Sequence, residues 1–137
     1  MVKEIVHDTF FLSRRSAPAE LPGDIPVADD LLDTLKANAE RCVGMAANMI
    51  GVAKCIIVYV DNGQLCEMFN PVILKTKDPY ETEEGCLSLA GQRKTERFAS
   101  IKVQWQPRLG QTRIRTFTGW TAQIIQHEID HLSGKLI

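Results

Sequence analysis

Gln126-His127-Glu128-Ile129-Asp130-His131 carries two histidines four residues apart. On a helix this spacing puts both imidazoles on one face, one turn apart, where they can grip a single cation. Glu128 follows the first histidine and offers a proton carrier beside that cation. Neutral imidazoles suit a divalent metal that activates water for hydrolysis, and the carboxylate handles the protons that the metal cannot. The stretch therefore predicts a metal-binding helix near the C-terminus, with the rest of the fold arranged to complete its site.

Of the 3 histidines only His7 lies outside this stretch. A metal site needs a third protein ligand. None of the residues after His131, from Leu132 to Ile137, is Cys, His, Asp or Glu, so the third ligand is expected upstream. That disfavours peptidases whose third ligand follows the second histidine. The best upstream candidate is Cys86 in Glu84-Gly85-Cys86-Leu87-Ser88. A thiolate is a strong ligand, and the neighbouring glycine lets the backbone approach the metal closely. Cys42, Cys55 and Cys66 read better as small buried thiols, Cys55 within an apolar run.

Working outward from the helix, Thr118 is a candidate N-cap, and the helix is expected to end near Gly134. Residues 99–105 and 111–117 alternate like strands and are separated by Pro107 to Gly110, which suits a hairpin. Residues 52–60 read as a buried strand, Asp61-Asn62-Gly63 as a turn, and Leu65 to Phe69 as a second strand, with Pro71 opening a short extended piece. Residues 75–83 are polar and expected to be loop. The Cys86 motif after them is expected to be an edge strand, which can ligate metal and pair with a peptide.

Leu31, Leu32, Leu35, Ala39 and Cys42 recur at near-helical spacing after Asp24, a candidate cap. They predict a first helix ending before Gly44, followed by a glycine-containing loop. Residues 1–23, with Ser13-Arg14-Arg15-Ser16 and two prolines, predict an irregular arm. The expected fold class is α+β: a compact single domain over residues 1–137, with antiparallel sheets packed around the C-terminal metal-binding helix.

With 137 residues, 45% hydrophobic and 24% charged, the chain has room for one core. A formal net charge of −1 and scattered basic residues give no case for specific nucleic-acid binding. Arg113 and Arg115 alternate along a predicted strand and read as a solvated sheet face rather than an RNA contact. No apolar stretch is long enough for a signal peptide or a membrane span, so neither export nor a membrane partner is expected. Four unpatterned cysteines fit a reducing cytosol, and the expected location is cytoplasmic.

Taken with Gly44-Met45-Ala46-Ala47-Asn48-Met49-Ile50-Gly51, the Cys86 and His127 motifs give the chain a pattern that resembles the peptide deformylase family. The resemblance spans most of the chain. It implies removal of the formyl group from the N-terminal formylmethionine of new polypeptides. It assigns the metal to Cys86, His127 and His131, commonly ferrous iron, with Zn2+ or Ni2+ as substitutes; the thiolate and two imidazoles would suit Co2+ as well. Glu128 matches the catalytic acid, and Leu87 would supply a backbone N–H to the oxyanion. By the same resemblance Val43, Gly44, Gly85 and Leu87 run beside the peptide, and Trp120, Gln123 and Ile124 border a methionine pocket. Arg97 contacts the substrate or braces its groove. Partners are the N-formylmethionyl peptide and, in passing, the ribosome.

The first motif departs from the family's pattern, Gly-x-Gly-Leu-Ala-Ala-x-Gln, at Cys42, Met45 and Met49. Met45 is a mild change. Met49 is not, because the family's glutamine donates a hydrogen bond to the oxyanion and a thioether has no proton to give. The expectation is a weak or specialised deformylase, one version being a second copy beside a standard enzyme. Cys42 would narrow the groove, and Ala90 stands where many members have proline. Two other classes stay open. A metallopeptidase would cut unformylated peptides, and a noncatalytic metal-binding module would recognise peptide ends and tolerate Glu128→Gln.

Overall fold

Ile56-Ile57-Val58-Tyr59 is buried on both sides of its strand. In the computed structural model, which describes residues 1–137, this strand, β2 (Ile56–Asp61), lies between two cores. Ile56 and Val58 join Leu31 and Leu35 of α2 (Ile25–Ala37) on one face. Ile57 and Tyr59 join Ala122, Ile124 and Ile125 of α3 (Gly119–Leu132) on the other. Successive side chains of a strand point to opposite faces, so a strand covered on both must be apolar throughout.

The remaining strands are β1 (Gly44–Ala46), β3 (Gln64–Cys86), β4 (Leu89–Gln106) and β5 (Arg113–Thr118). They form one five-stranded sheet in the order β1-β2-β3-β4-β5, every pairing antiparallel. The α+β class and the C-terminal helix are as expected, with one sheet in place of several. Gln126 fastens α3 to the sheet. Its side chain accepts from the Phe98 N–H and donates to the Phe98 carbonyl, both at 2.9 Å.

The largest correction concerns residues 75–83, which are strand rather than loop. They pair with β4 from Lys75 opposite Lys102 to Glu83 opposite Lys94. Their polarity reflects side chains that face water on a long hairpin, where the backbone is satisfied by the partner strand and no buried apolar face is needed. Beyond Phe69, β4 is the only strand that pairs with β3, which leaves the stretch ending at Cys86 with a free edge.

Smaller corrections follow from end groups. α2 stops at Ala37, well before Gly44, where the Asn38 side chain donates to the Thr34 carbonyl at 2.8 Å. The glycine motif is β1 followed by a 3-10 turn, Ala47–Ile50, rather than loop. The strand read over 52–60 begins only at Ile56. Asp24 and Thr118 occupy N-cap positions, but neither side chain caps its helix. Instead the Asp24 carboxylate accepts the Glu20 N–H at 2.7 Å. The N-terminal arm is irregular except for α1 (Thr9–Leu12), whose N-cap is Asp8. It is tied down by Val6 N–H to the Met49 carbonyl, 2.8 Å, and Ser16 N–H to the Leu132 carbonyl, 2.9 Å.

Candidate active site

α3 presents His127 and His131 on its inner face, and the end of β3 brings Cys86 to them across the sheet. The Nε2 atoms of the histidines are 3.1 Å apart, and His131 Nε2 lies 3.4 Å from Cys86 Sγ. One ligand atom from each residue lies within 4.8 Å of the others. Two imidazole nitrogens on one tetrahedral zinc would sit about 3.3 Å apart, and a thiolate and an imidazole about 3.5 Å. The donor set and its spacing therefore fit a divalent cation.

The electrostatics of the protein alone point the same way. Two ring nitrogens this close share either one proton or one cation. Burial opposes charge on His127, but Glu128, Cys86 and Glu84 outweigh it and hold its imidazole up at about 10. Burial, with His127 beside it, pushes His131 down to about 3. A metal ion takes both imidazoles unprotonated at the binding nitrogen, so binding it displaces any proton held there.

Behind the ligands stands a polar brace. Glu84 Oε1 accepts from His127 Nδ1 at 2.8 Å, which turns the other ring nitrogen toward Cys86 and His131. Arg97 bonds both oxygens of Glu84, the shortest contact being 2.7 Å, and reaches Asp130 at 2.6 Å. Gln123 donates to Glu84 Oε2 at 2.9 Å and accepts from the Tyr80 hydroxyl at 3.2 Å. Burial alone would raise the Glu84 carboxyl, but His127, Arg97 and Gln123 together bring it down to about 2. Replacing Glu84 by Gln should weaken metal binding about 10- to 100-fold. Chelator competition measures this, and Asp130 still pairs with Arg97 in the variant.

Glu128 is 4% exposed at the edge of a cavity of about 470 Å³. Burial raises its carboxyl to about 7, poised to exchange protons near neutrality. Its Oε1 has no protein partner. The other oxygen lies over Gly44, where an added Cβ would meet Glu128 Oε2 at 2.8 Å and Ile124 Cγ2 at 2.7 Å. Gly44→Ala should therefore displace the carboxylate and slow turnover about 10²-fold, because a misplacement of about 1 Å can cost that much. Steady-state kinetics on a folded variant measures it.

Most of the residues singled out from the sequence meet at this cavity: Val43, Gly44, Met49, Gly85, Cys86, Leu87, Trp120, Gln123, Ile124, His127 and Glu128 all line it. His131 is fully buried behind them. Arg97 is the exception. It does not line the cavity and is 3% exposed, so it braces Glu84 rather than touching a ligand. Trp120 is 62% exposed at the rim. Cys42 lines the cavity and donates its thiol hydrogen to the Gly44 carbonyl at 2.9 Å. Burial, with Glu128 nearby, pushes its thiol up to about 11. Cys42, Cys55 and Cys66 are free and only partly buried, more open than the small buried thiols expected from the sequence.

The family model described as polypeptide deformylase matches residues 5–137. The chain belongs to the polypeptide deformylase family. The peptide deformylase of Clostridium beijerinckii is 53% identical over 137 residues, covering 100% of both chains. Among solved structures, the class I type b peptide deformylase of Acinetobacter baumannii bound to Met-Ala-Ser superposes with a TM-score of 0.89 at 27% identity, covering 99% of this chain and 97% of that one. The peptide deformylase of Thermus thermophilus gives 0.87 at 33% identity, covering 99% and 83%. The chain is thus a deformylase-type hydrolase of a metal-dependent family, and its Cys-His-His group could hold the metal. No helix is long and apolar enough to cross a membrane.

Sequence reading missed the roles of Glu84 and Asp130, though both sit inside the quoted motifs. An acid flanking a ligand by one or two positions is the only local signal. Their partner Arg97 comes from β4 and becomes visible only through the β3–β4 register.

Proposed function

We propose that this deformylase acts on the formyl group of N-formylmethionyl peptides, with Cys86, His127 and His131 as metal ligands and Glu128 as the proton carrier. The observation that carries the reading is the convergence of three donor atoms within 4.8 Å beside a buried carboxylate on an open cavity. When bound, a divalent cation supplies Lewis-acid chemistry: it acidifies water at neutral pH and polarises a carbonyl.

The chain's own residues do the rest. Glu128 takes the proton of the attacking water and returns it to the departing amine, which would otherwise leave as an unstable anion. The Leu87 N–H donates to the oxygen that becomes negative in the transition state. Trp120, Gln123 and Ile124 border the methionine side chain. Val43, Gly44, Gly85 and Leu87 run along the peptide, and the free edge of β3 can add a peptide strand by backbone pairing that tolerates many sequences. The Met-Ala-Ser peptide held by the Acinetobacter baumannii relative has the chemistry expected of a deformylated product.

Ferrous iron is the proposed native metal, with zinc, nickel or cobalt as substitutes, since thiolate with two imidazoles suits all four. We place the enzyme in the cytoplasm, meeting nascent chains in passing at the ribosome. The test is an anaerobic assay of the iron-loaded protein on formyl-Met peptides. Formate release from these peptides, with none from acetyl-Met controls and no cleavage of unformylated peptides, supports the reading. Internal cleavage of unformylated peptides, or binding without turnover, overturns it.

A further inference from the structure

α3 ends at Leu132, so the carbonyl of His131 is among the last carbonyls that no residue of the helix can satisfy. Two donors reach it from outside. The Gly134 N–H lies at 3.1 Å, and the side-chain Nδ2 of Asn48 lies at 3.0 Å. Asn48 comes from the 3-10 turn that carries Met49 and is 1% exposed. Its amide nitrogen faces a carbonyl, which fixes the amide's orientation and leaves its oxygen on the other side. That Oδ1 and the Nδ1 of His131 are both buried without a protein partner.

A metal-ligating histidine needs something to hold its other nitrogen. His127 has Glu84 at Nδ1. His131 points Nε2 toward Cys86 and His127, so its proton belongs on Nδ1, a buried donor that requires an acceptor. We propose that Asn48 is the positioning residue for His131, its N–H clamping the backbone at the end of α3 and its oxygen taking the Nδ1–H through one buried water. Asparagine suits both tasks, because one short side chain carries a donor and an acceptor. Both atoms are buried and unpartnered, and a bridging water needs at least two such polar partners and room for itself. The turn bearing Met49 and the helix bearing the ligands are thereby locked together. A shift of one would move the other. This rests on the metal-site reading above.

The experiment uses the full chain loaded with cobalt or zinc. Cobalt reports thiolate ligation through its charge-transfer absorption and gives a dissociation constant by chelator competition. Nitrogen-15 NMR of the zinc form reports the ring N–H of His131. Expected for the wild type is a cobalt–thiolate band and a His131 Nδ1–H signal protected from solvent exchange. Expected for Asn48→Leu, which keeps the bulk and removes both polar groups, is loss of that protection and cobalt binding weaker by about 10- to 100-fold. A folded Asn48→Leu with unchanged cobalt affinity overturns the inference. So does a wild-type His131 Nδ1–H that exchanges as fast as a solvent-exposed imidazole, whether or not the variant folds. A wild type with no cobalt–thiolate band overturns the metal reading itself, and the inference with it.

Discussion

Glu128→Gln is expected to lower formate release by about 10² to 10⁴, the usual worth of a positioned general acid–base, while leaving the metal in place. The glutamine keeps the size and burial of the original side chain, which is 4% exposed and packed over Gly44. It cannot accept the proton of water or hand one to the amine. Glu128 is not among the three converging donors, so cobalt or zinc affinity should change little. Formate release and metal content measured on the same preparation separate the two effects. A variant within ten-fold of the wild type would remove Glu128 from the chemistry and revive the noncatalytic module, which needs only the ligands and the cavity. A variant that also loses metal would mean that Glu128 helps to build the site.

Residues that act through local spacing were legible in the sequence, and residues that act through register were not. His127 and His131 are one helical turn apart, so their convergence follows from the period of the helix alone. Cys86 could be paired with them because a thiolate is a strong ligand and Gly85 beside it lets the backbone come close. Glu84 differs. Its bond to His127 spans 43 positions and depends on how β3 ends against α3. Arg97 reads from the sequence only as a substrate-contacting or groove-bracing arginine because its neighbours Glu96 and Phe98 are uninformative, yet in the fold it sits opposite Tyr80 and bonds Glu84. The polar segment 75–83 failed for another reason. Hydrophobic alternation reveals a strand only where one face is buried, and most of this hairpin stands in water. β2 was legible for the opposite reason, since both of its faces are covered and its run is apolar throughout. Asn48 is the extreme case: its neighbours in sequence carry the motif, but its partner is 83 positions away and is a backbone atom, which no side-chain pattern encodes.

Met49→Gln is expected to raise the deformylation rate by about 10² to 10³, the usual value of one oxyanion donor. Met49 lines the cavity beside Cys86 and Leu87 and is 1% exposed. A thioether there can accept weakly and donate nothing, so under the proposed mechanism the developing negative charge would have only a bound metal ion and the Leu87 N–H. The glutamine amide supplies the missing proton at nearly the same volume. It brings a burial cost of about 1 to 3 kcal/mol in the resting protein if the amide finds no partner. The variant should therefore unfold at a lower temperature than the wild type while turning over faster. Met49→Leu is the control, equal in size and unable to donate, and its rate should match the wild type. Equal rates for the Gln and Leu variants on formyl-Met peptides would mean that position 49 does not reach the oxyanion. The departure from the family motif would then concern the shape of the groove, where Cys42 also intrudes, and the assay to pursue would be a panel of other N-acyl groups.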